Sequence, residues 1–154
     1  MNSGNDSPEP VNGYWPFDRA SFGIRCRVSY PSTRQSITEA VNLILDVARR
    51  CGCDEDQEAD MEIALREALA NAVIHGNSED EAKKVFVRCY GGDAKTLVLV
   101  RDQGPGFEPL DIPDPRKNDR LQLDHGRGLF LMRELMDHVE YRREGREVLL
   151  FKRW

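Results

Sequence analysis

The sequence has no apolar run long enough to span a bilayer and no basic start leading into an apolar stretch, so neither a transmembrane helix nor a secretory leader is expected. It has no basic excess. Its 27 acidic and 22 basic side chains leave a formal charge of -5, which removes any global attraction to nucleic-acid phosphates or anionic membrane surfaces. It has no disulfide framework, because Cys26, Cys51, Cys53 and Cys89 follow no such spacing. Cys51 and Cys53, separated by Gly52 at the expected end of a helix, lack the further soft ligands of a metal site and read as ordinary thiols. Internal repeats and low-complexity core segments are missing as well. These absences place the chain in a reducing cytoplasm, with neither nucleic acid nor membrane as a direct partner. The basic residues that gather near the end, Arg142, Arg143, Arg146, Lys152 and Arg153, read as a solvated face.

What is present suffices for one domain. A chain of 154 residues, 40% of them hydrophobic, buries roughly two-thirds of its unfolded surface. Residues 1–21 are rich in Asn, Ser, Gly, Pro and Asp and poor in aliphatics. They are expected to form a disordered or loosely attached tail ahead of a domain over 22–154.

From Ile24 to Tyr30 apolar and polar residues alternate, the pattern of a half-buried strand that Pro31 ends. Ser32 or Thr33 caps a first helix, in which Ile37, Val41, Ile44, Leu45 and Ala48 form one stripe until Gly52 stops it. A second helix is expected from Asp56 to Ile74, stopping at His75-Gly76-Asn77. Two strands, Lys84 to Tyr90 and Thr96 to Asp102, should pair as a hairpin through a Gly91-Gly92-Asp93 turn. Between Asp102 and His125, Pro105, Pro109, Pro113 and Pro115 punctuate a long loop with a short ordered piece near Leu121. Gly126-Arg127-Gly128 opens an apolar helix from Leu129 to Met136, and two strands flank a Glu144-Gly145 turn. Hairpins rather than strand-helix-strand crossovers argue for an α+β two-layer sandwich, with a mixed, mostly antiparallel sheet covered on one face by helices.

Three segments carry candidate chemistry. Glu67 and Asn71 lie four residues apart, about 40° from each other on one helical face. A carboxylate there can orient an attacking hydroxyl or water, and an amide oxygen is a hard, neutral ligand suited to magnesium, although many solvated helices carry such a pair. At a strand end, Asp102-Gln103-Gly104-Pro105-Gly106 offers a carboxylate able to accept from an exocyclic amine such as that of adenine. The glycines that follow let a ligand approach the backbone, and a plain Gly-Pro turn has the same composition. Gly126-Arg127-Gly128-Leu129 stands at a helix start, where free N–H groups and the helix dipole form a phosphate site or, more simply, the end of a flexible loop.

In this order and at these separations the three segments resemble the N, G1 and G2 boxes of the GHKL superfamily, which includes gyrase-type ATPases, heat-shock chaperone ATPases and histidine kinases. The resemblance covers Ile24 to the last residue. It implies a Bergerat-type fold that binds ATP with Mg2+ in a pocket closed by the loop between G1 and G2. It assigns adenine binding to Asp102, magnesium to Asn71 and general-base catalysis to Glu67. Gly104, Gly106, Gly126 and Gly128 then shape the nucleotide loops, with Arg127 and Leu129 in the same G2 segment. His75 and His125 fall in a pocket-lining or turn role, and His138 in a half-buried structural one.

No dimerising hairpin with a phospho-acceptor histidine and no transducer domain is recognisable, which weakens the histidine-kinase and gyrase readings. The wording of Glu67 to Asn77 and the compact architecture are most similar to bacterial anti-sigma factor kinases. That similarity implies serine/threonine kinase activity on an antagonist protein, with a sigma factor as the other partner and a second copy of the chain as a candidate third. A nucleotide-gated binding regulator without phosphotransfer and a detached histidine-kinase-type ATPase domain are the alternatives.

Overall fold

The alternation from Ile24 to Tyr30 becomes strand β1, Phe22–Pro31, in the computed structural model, which describes residues 18–107 and 124–154. Residues 1–17, most of the expected loop after Asp102 and the piece near Leu121 lie outside those residues. Pro31 can end β1 without disturbing the sheet because β1 is an edge strand, where a missing N–H faces away from the ladder.

Helix α1, Arg34–Arg50, starts at Thr33, whose hydroxyl accepts from the Ser36 N–H, and ends at Cys51 ahead of Gly52 at φ +90. Ser32, the other cap expected from sequence, is instead fully buried and donates to the Lys83 carbonyl at 2.8 Å. Helix α2, Glu55–Ala70, is capped by Asp54, which accepts from the Gln57 N–H. The helical path then widens into a π-helical turn over Asn71–Gly76.

Strands β2, Lys84–Gly92, and β3, Lys95–Arg101, form the expected hairpin, but the strands run on through the glycines and the chain reverses at Asp93 and Ala94, with Ala94 at φ 53. The glycines serve close approach. A Cβ on Gly91 would sit 2.6 Å from Cys51 Sγ and one on Gly92 2.5 Å from the Ser21 carbonyl. Helix α3, Asp124–Leu135, and strands β4, His138–Arg142, and β5, Glu147–Arg153, complete the described elements.

The sheet order is β1-β2-β3-β5-β4, and each of its four pairings is antiparallel. The helices pack their apolar stripes, including Ile44, Leu65, Leu69 and Met132, onto one face of this sheet. The α+β two-layer sandwich read from the sequence is thus the observed fold. His138 is exposed beside Glu140 rather than half-buried. No helix among the described residues is long and apolar enough to cross a membrane.

Candidate functional site

Asp102 follows the last residue of β3 and is pinned from two sides: its N–H donates to the Arg146 carbonyl at 2.9 Å, and its Oδ1 accepts from the Gly104 N–H at 2.8 Å. Asp102 is 9% exposed and stands at the wall of a cleft of about 100 Å³. Burial raises its pKa above the ordinary carboxylate range, partly offset by the Gly104 N–H and by Arg146 and Lys83. Two glycines make this placement possible. A Cβ on Gly76 would lie 2.5 Å from Asp102 Cγ, and one on Gly104 only 2.0 Å from the Gly76 carbonyl oxygen. Gly106, at φ +79, completes the loop with no room for a side chain beside the Glu144 carbonyl.

The opposite wall is built by α2 and the π-turn that continues it. Asn71 is 8% exposed, and its Nδ2 donates to the Tyr141 hydroxyl at 3.5 Å. Burial pushes the Tyr141 phenol up to about 12, against the opposing effect of that hydrogen bond, so the phenol stays protonated at neutral pH. Glu67, one turn earlier, is half-buried and turns its carboxylate toward α3. A Cβ on Gly128 would stand 2.7 Å from Glu67 Oε2 and 3.6 Å from Asn71 Nδ2. Glu67, Asn71 and Gly128 are therefore brought together, with Asn71 also lining the cleft that holds Asp102.

Helix α3 begins two residues before Gly126, so the Gly126-Arg127-Gly128 segment forms its first turns rather than a loop ahead of it. Gly128 is then used for close packing on Glu67, while Arg127 is exposed and Leu129 sits in the core. Gly106, His75 and Gly76 line the cleft with Asp102.

A family model described as the histidine kinase-like ATPase domain matches residues 30–152. The chain belongs to this family. It is 35% identical over 103 residues to the serine-protein kinase RsbW of Bacillus licheniformis, covering 60% of this chain and 62% of that protein. It is 28% identical over 87 residues to the anti-sigma F factor of Oceanobacillus iheyensis, covering 55% and 60% respectively. To the serine-protein kinase RsbW of Listeria monocytogenes it is 31% identical over 116 residues, 69% of this chain and 72% of that protein. In the first two of these relatives the match spans less than two thirds of the relative's own length.

In this histidine kinase-like ATPase domain two residues that the sequence reading left without a role hold the cleft together. Arg146, counted among the basic residues of a solvated face, donates from Nε to the Gly104 carbonyl at 2.8 Å and from Nη2 to the Pro105 carbonyl at 3.3 Å. Asn77, fully buried, donates to Ser32 Oγ and the Lys84 carbonyl and accepts from the Gln103 N–H. It thereby ties the end of the π-turn to the loop after Asp102. The signal for Asn77 was its polarity directly behind a glycine helix stop. Arg146 gave no sequence signal, since its partners lie 41 and 42 residues away.

Proposed function

We propose that the cleft binds ATP with Mg2+ and that the protein, with residues 22–154 as its one domain, transfers the γ-phosphoryl group to a serine or threonine hydroxyl of an antagonist protein. The same chain would hold a sigma factor in the alternate state of a partner-switching system. The observation that carries the reading is the convergence of Glu67 and Asn71 on Gly128, at one end of a cleft whose other wall presents the buried Asp102. The kinase and anti-sigma names belong to the relatives and support the reading for this chain.

The donor set fits the chemistry. Asp102 accepts the exocyclic amine of adenine, and Gly76 and Gly104 allow the base to lie against the backbone. The Asn71 amide oxygen is a hard ligand of the kind Mg2+ takes, and Tyr141 holds the amide's nitrogen end and so points the oxygen end elsewhere. Bound Mg2+ supplies charge neutralisation at the phosphates. Glu67 takes the proton of the acceptor hydroxyl as its oxygen bonds to the γ-phosphorus and the bond to the departing ADP breaks.

The test is a pair of substitutions read in two assays. Glu67→Gln should bind ATP as the parent does and lose phosphotransfer by roughly two to four orders of magnitude. Asn71→Ala should weaken Mg2+-dependent ATP binding. Parental transfer by Glu67→Gln, or a parent that phosphorylates no antagonist captured from the native cell, leaves the nucleotide-gated regulator as the better account.

A further inference from the structure

Three of the four cysteines gather where β1 and β2 meet the helices. Cys26 of β1 and Cys89 of β2 are directly opposed in the antiparallel register. Cys89 is fully buried in the core beneath the helices, and Cys26 is half-buried against the same core. Cys51, at the end of α1, reaches this neighbourhood because Gly91, the next residue after Cys89 on that face of β2, has no side chain to keep its sulfur away. A Cβ on Gly91 would stand 2.6 Å from Cys51 Sγ. The Cys89 thiol responds to both neighbours. Burial pushes its pKa well above the ordinary thiol range, and Cys26 and then Cys51 raise it further electrostatically. Cys53, whose thiol donates to the Asp54 carbonyl at 3.5 Å, is not among the sulfurs that act on Cys89.

A group of thiols can hold a soft metal or be oxidised. Among the described residues no three His, Cys, Asp or Glu side chains are placed to hold a metal ion, which leaves chemistry between the sulfurs themselves. Directly opposed residues of an antiparallel pair stand about 4.5–5.5 Å apart at Cα, within the roughly 4.4–6.8 Å that a disulfide spans. The bond also needs the two Cβ atoms about 4 Å apart, a slight closing of the ordinary cross-strand pair. Strand β1 can supply it. It is an edge strand held by one neighbour only, and its register already slips between Phe22 and Ile24, ahead of Cys26.

We propose that Cys26 and Cys89 are a reversible oxidation site, joined as a cross-strand disulfide by hydrogen peroxide. Cys26, the partner that solvent reaches, meets the oxidant first. Its sulfur bonds to one peroxide oxygen, the O–O bond breaks, and the other oxygen leaves with the thiol proton as water. The Cys89 sulfur then bonds to the Cys26 sulfur, and the sulfenic hydroxyl leaves with the Cys89 proton as a second water. Two thiols are oxidised, one peroxide is reduced, and a dithiol reverses the step. The buried Cys89 thiol is inert toward peroxide alone and reacts only with the activated sulfur opposite it. The bridge ties the edge strand to β2 and closes a loop of about 60 residues that contains α1, α2, Glu67 and Asn71. It needs no nucleotide, so it stands independently of the proposed kinase activity.

The test treats the reduced full chain with hydrogen peroxide, blocks the remaining thiols with N-ethylmaleimide and maps the unreduced peptides by mass spectrometry. The expected product is a Cys26–Cys89 link that dithiothreitol removes, with a Tm about 5–15 °C above that of the reduced chain. Links confined to Cys51 or Cys53, sulfinic acid at Cys26 without a link, intact thiols throughout, or a linked chain with unchanged Tm would each overturn the proposal. Cys26→Ser changes only the half-buried partner, so the core is kept, and it should lose both the link and the gain in Tm. A Cys26→Ser chain whose Tm still rises with peroxide overturns the proposal as well. Cys51→Ser should form the link as the parent does, and failure to form it would move the site to Cys51 and overturn the assignment.

Discussion

Gly128→Ala should separate folding from chemistry. Position 128 is the fifth residue of α3, inside the helix, where alanine is preferred over glycine by roughly 0.5–1 kcal/mol. The new methyl would stand 2.7 Å from Glu67 Oε2, and ordinary van der Waals contact begins at 3.4 Å, so the carboxylate must retreat by about 0.7 Å. It is the far end of a half-buried side chain and can do so, whereas a Cβ on Gly104 would meet the Gly76 carbonyl at 2.0 Å, where only backbone could yield. For a chain of this size the helix preference corresponds to a Tm higher by about 1–4 °C. A misplacement approaching 1 Å in a catalytic group costs on the order of a hundredfold in rate. Scanning calorimetry and transfer from labelled ATP to the antagonist read the two effects separately, and Gly104→Ala should lose Tm as well as ATP binding. A Gly128→Ala protein that melts well below the parent, or that transfers phosphate at the parental rate, would refute the account of why this position is glycine.

Asp102→Asn should abolish ATP binding measured by calorimetry while leaving the apo protein at least as stable at neutral pH. The sign follows from the raised pKa. This group's contribution is fully present below the ordinary aspartate value of about 3.9 and is lost as pH rises through the raised native value. The advantage of Asn should therefore shrink toward acid in a Tm-against-pH series, and an Asn variant less stable than the parent at neutral pH contradicts it. Tyr141→Phe removes the acceptor that holds Asn71 Nδ2. One such hydrogen bond contributes about 0.5–1.5 kcal/mol, so Mg2+-dependent ATP affinity should fall roughly two- to tenfold with little change without the metal. Equal affinities in both conditions would remove Tyr141 from the site.

The parts of the fold legible in the sequence are those with local causes. The β1 alternation, the Thr33 cap and the apolar stripe of α1 each depend on residues within a few positions of one another, and each appears where expected. The glycines were legible as glycines, but their reasons were not. Gly91 and Gly92 resembled a turn because both tolerate positive φ, while what excludes a side chain there is the approach of Cys51 and Ser21 from elsewhere in the chain. The π-turn after Ala70 has no local signature, since its wide hydrogen bonds, such as Asn77 N–H to the Ala72 carbonyl, follow from how Asn77 is held by Ser32 and Lys84. Glu67, Asn71 and Asp102 were named as chemistry-bearing residues from spacing, but the cleft that Asn71 and Asp102 share is lined as well by Arg146, Tyr141 and Gly76, and Glu67 meets Asn71 only beside Gly128, all through tertiary contacts.

The position of β5 between β3 and β4 governs how this molecule can be made. Until residues 147–153 have emerged from the ribosome, β3 presents a bare hydrogen-bonding edge, and its Val98 and Val100 lack the Leu150 and Val148 neighbours that complete the layer. The Arg146 carbonyl that fixes the Asp102 N–H arrives at the same moment. Sheet closure and completion of the cleft are thus one event, and a chain cut before residue 147 should aggregate through that open edge rather than persist as a weaker version of the whole.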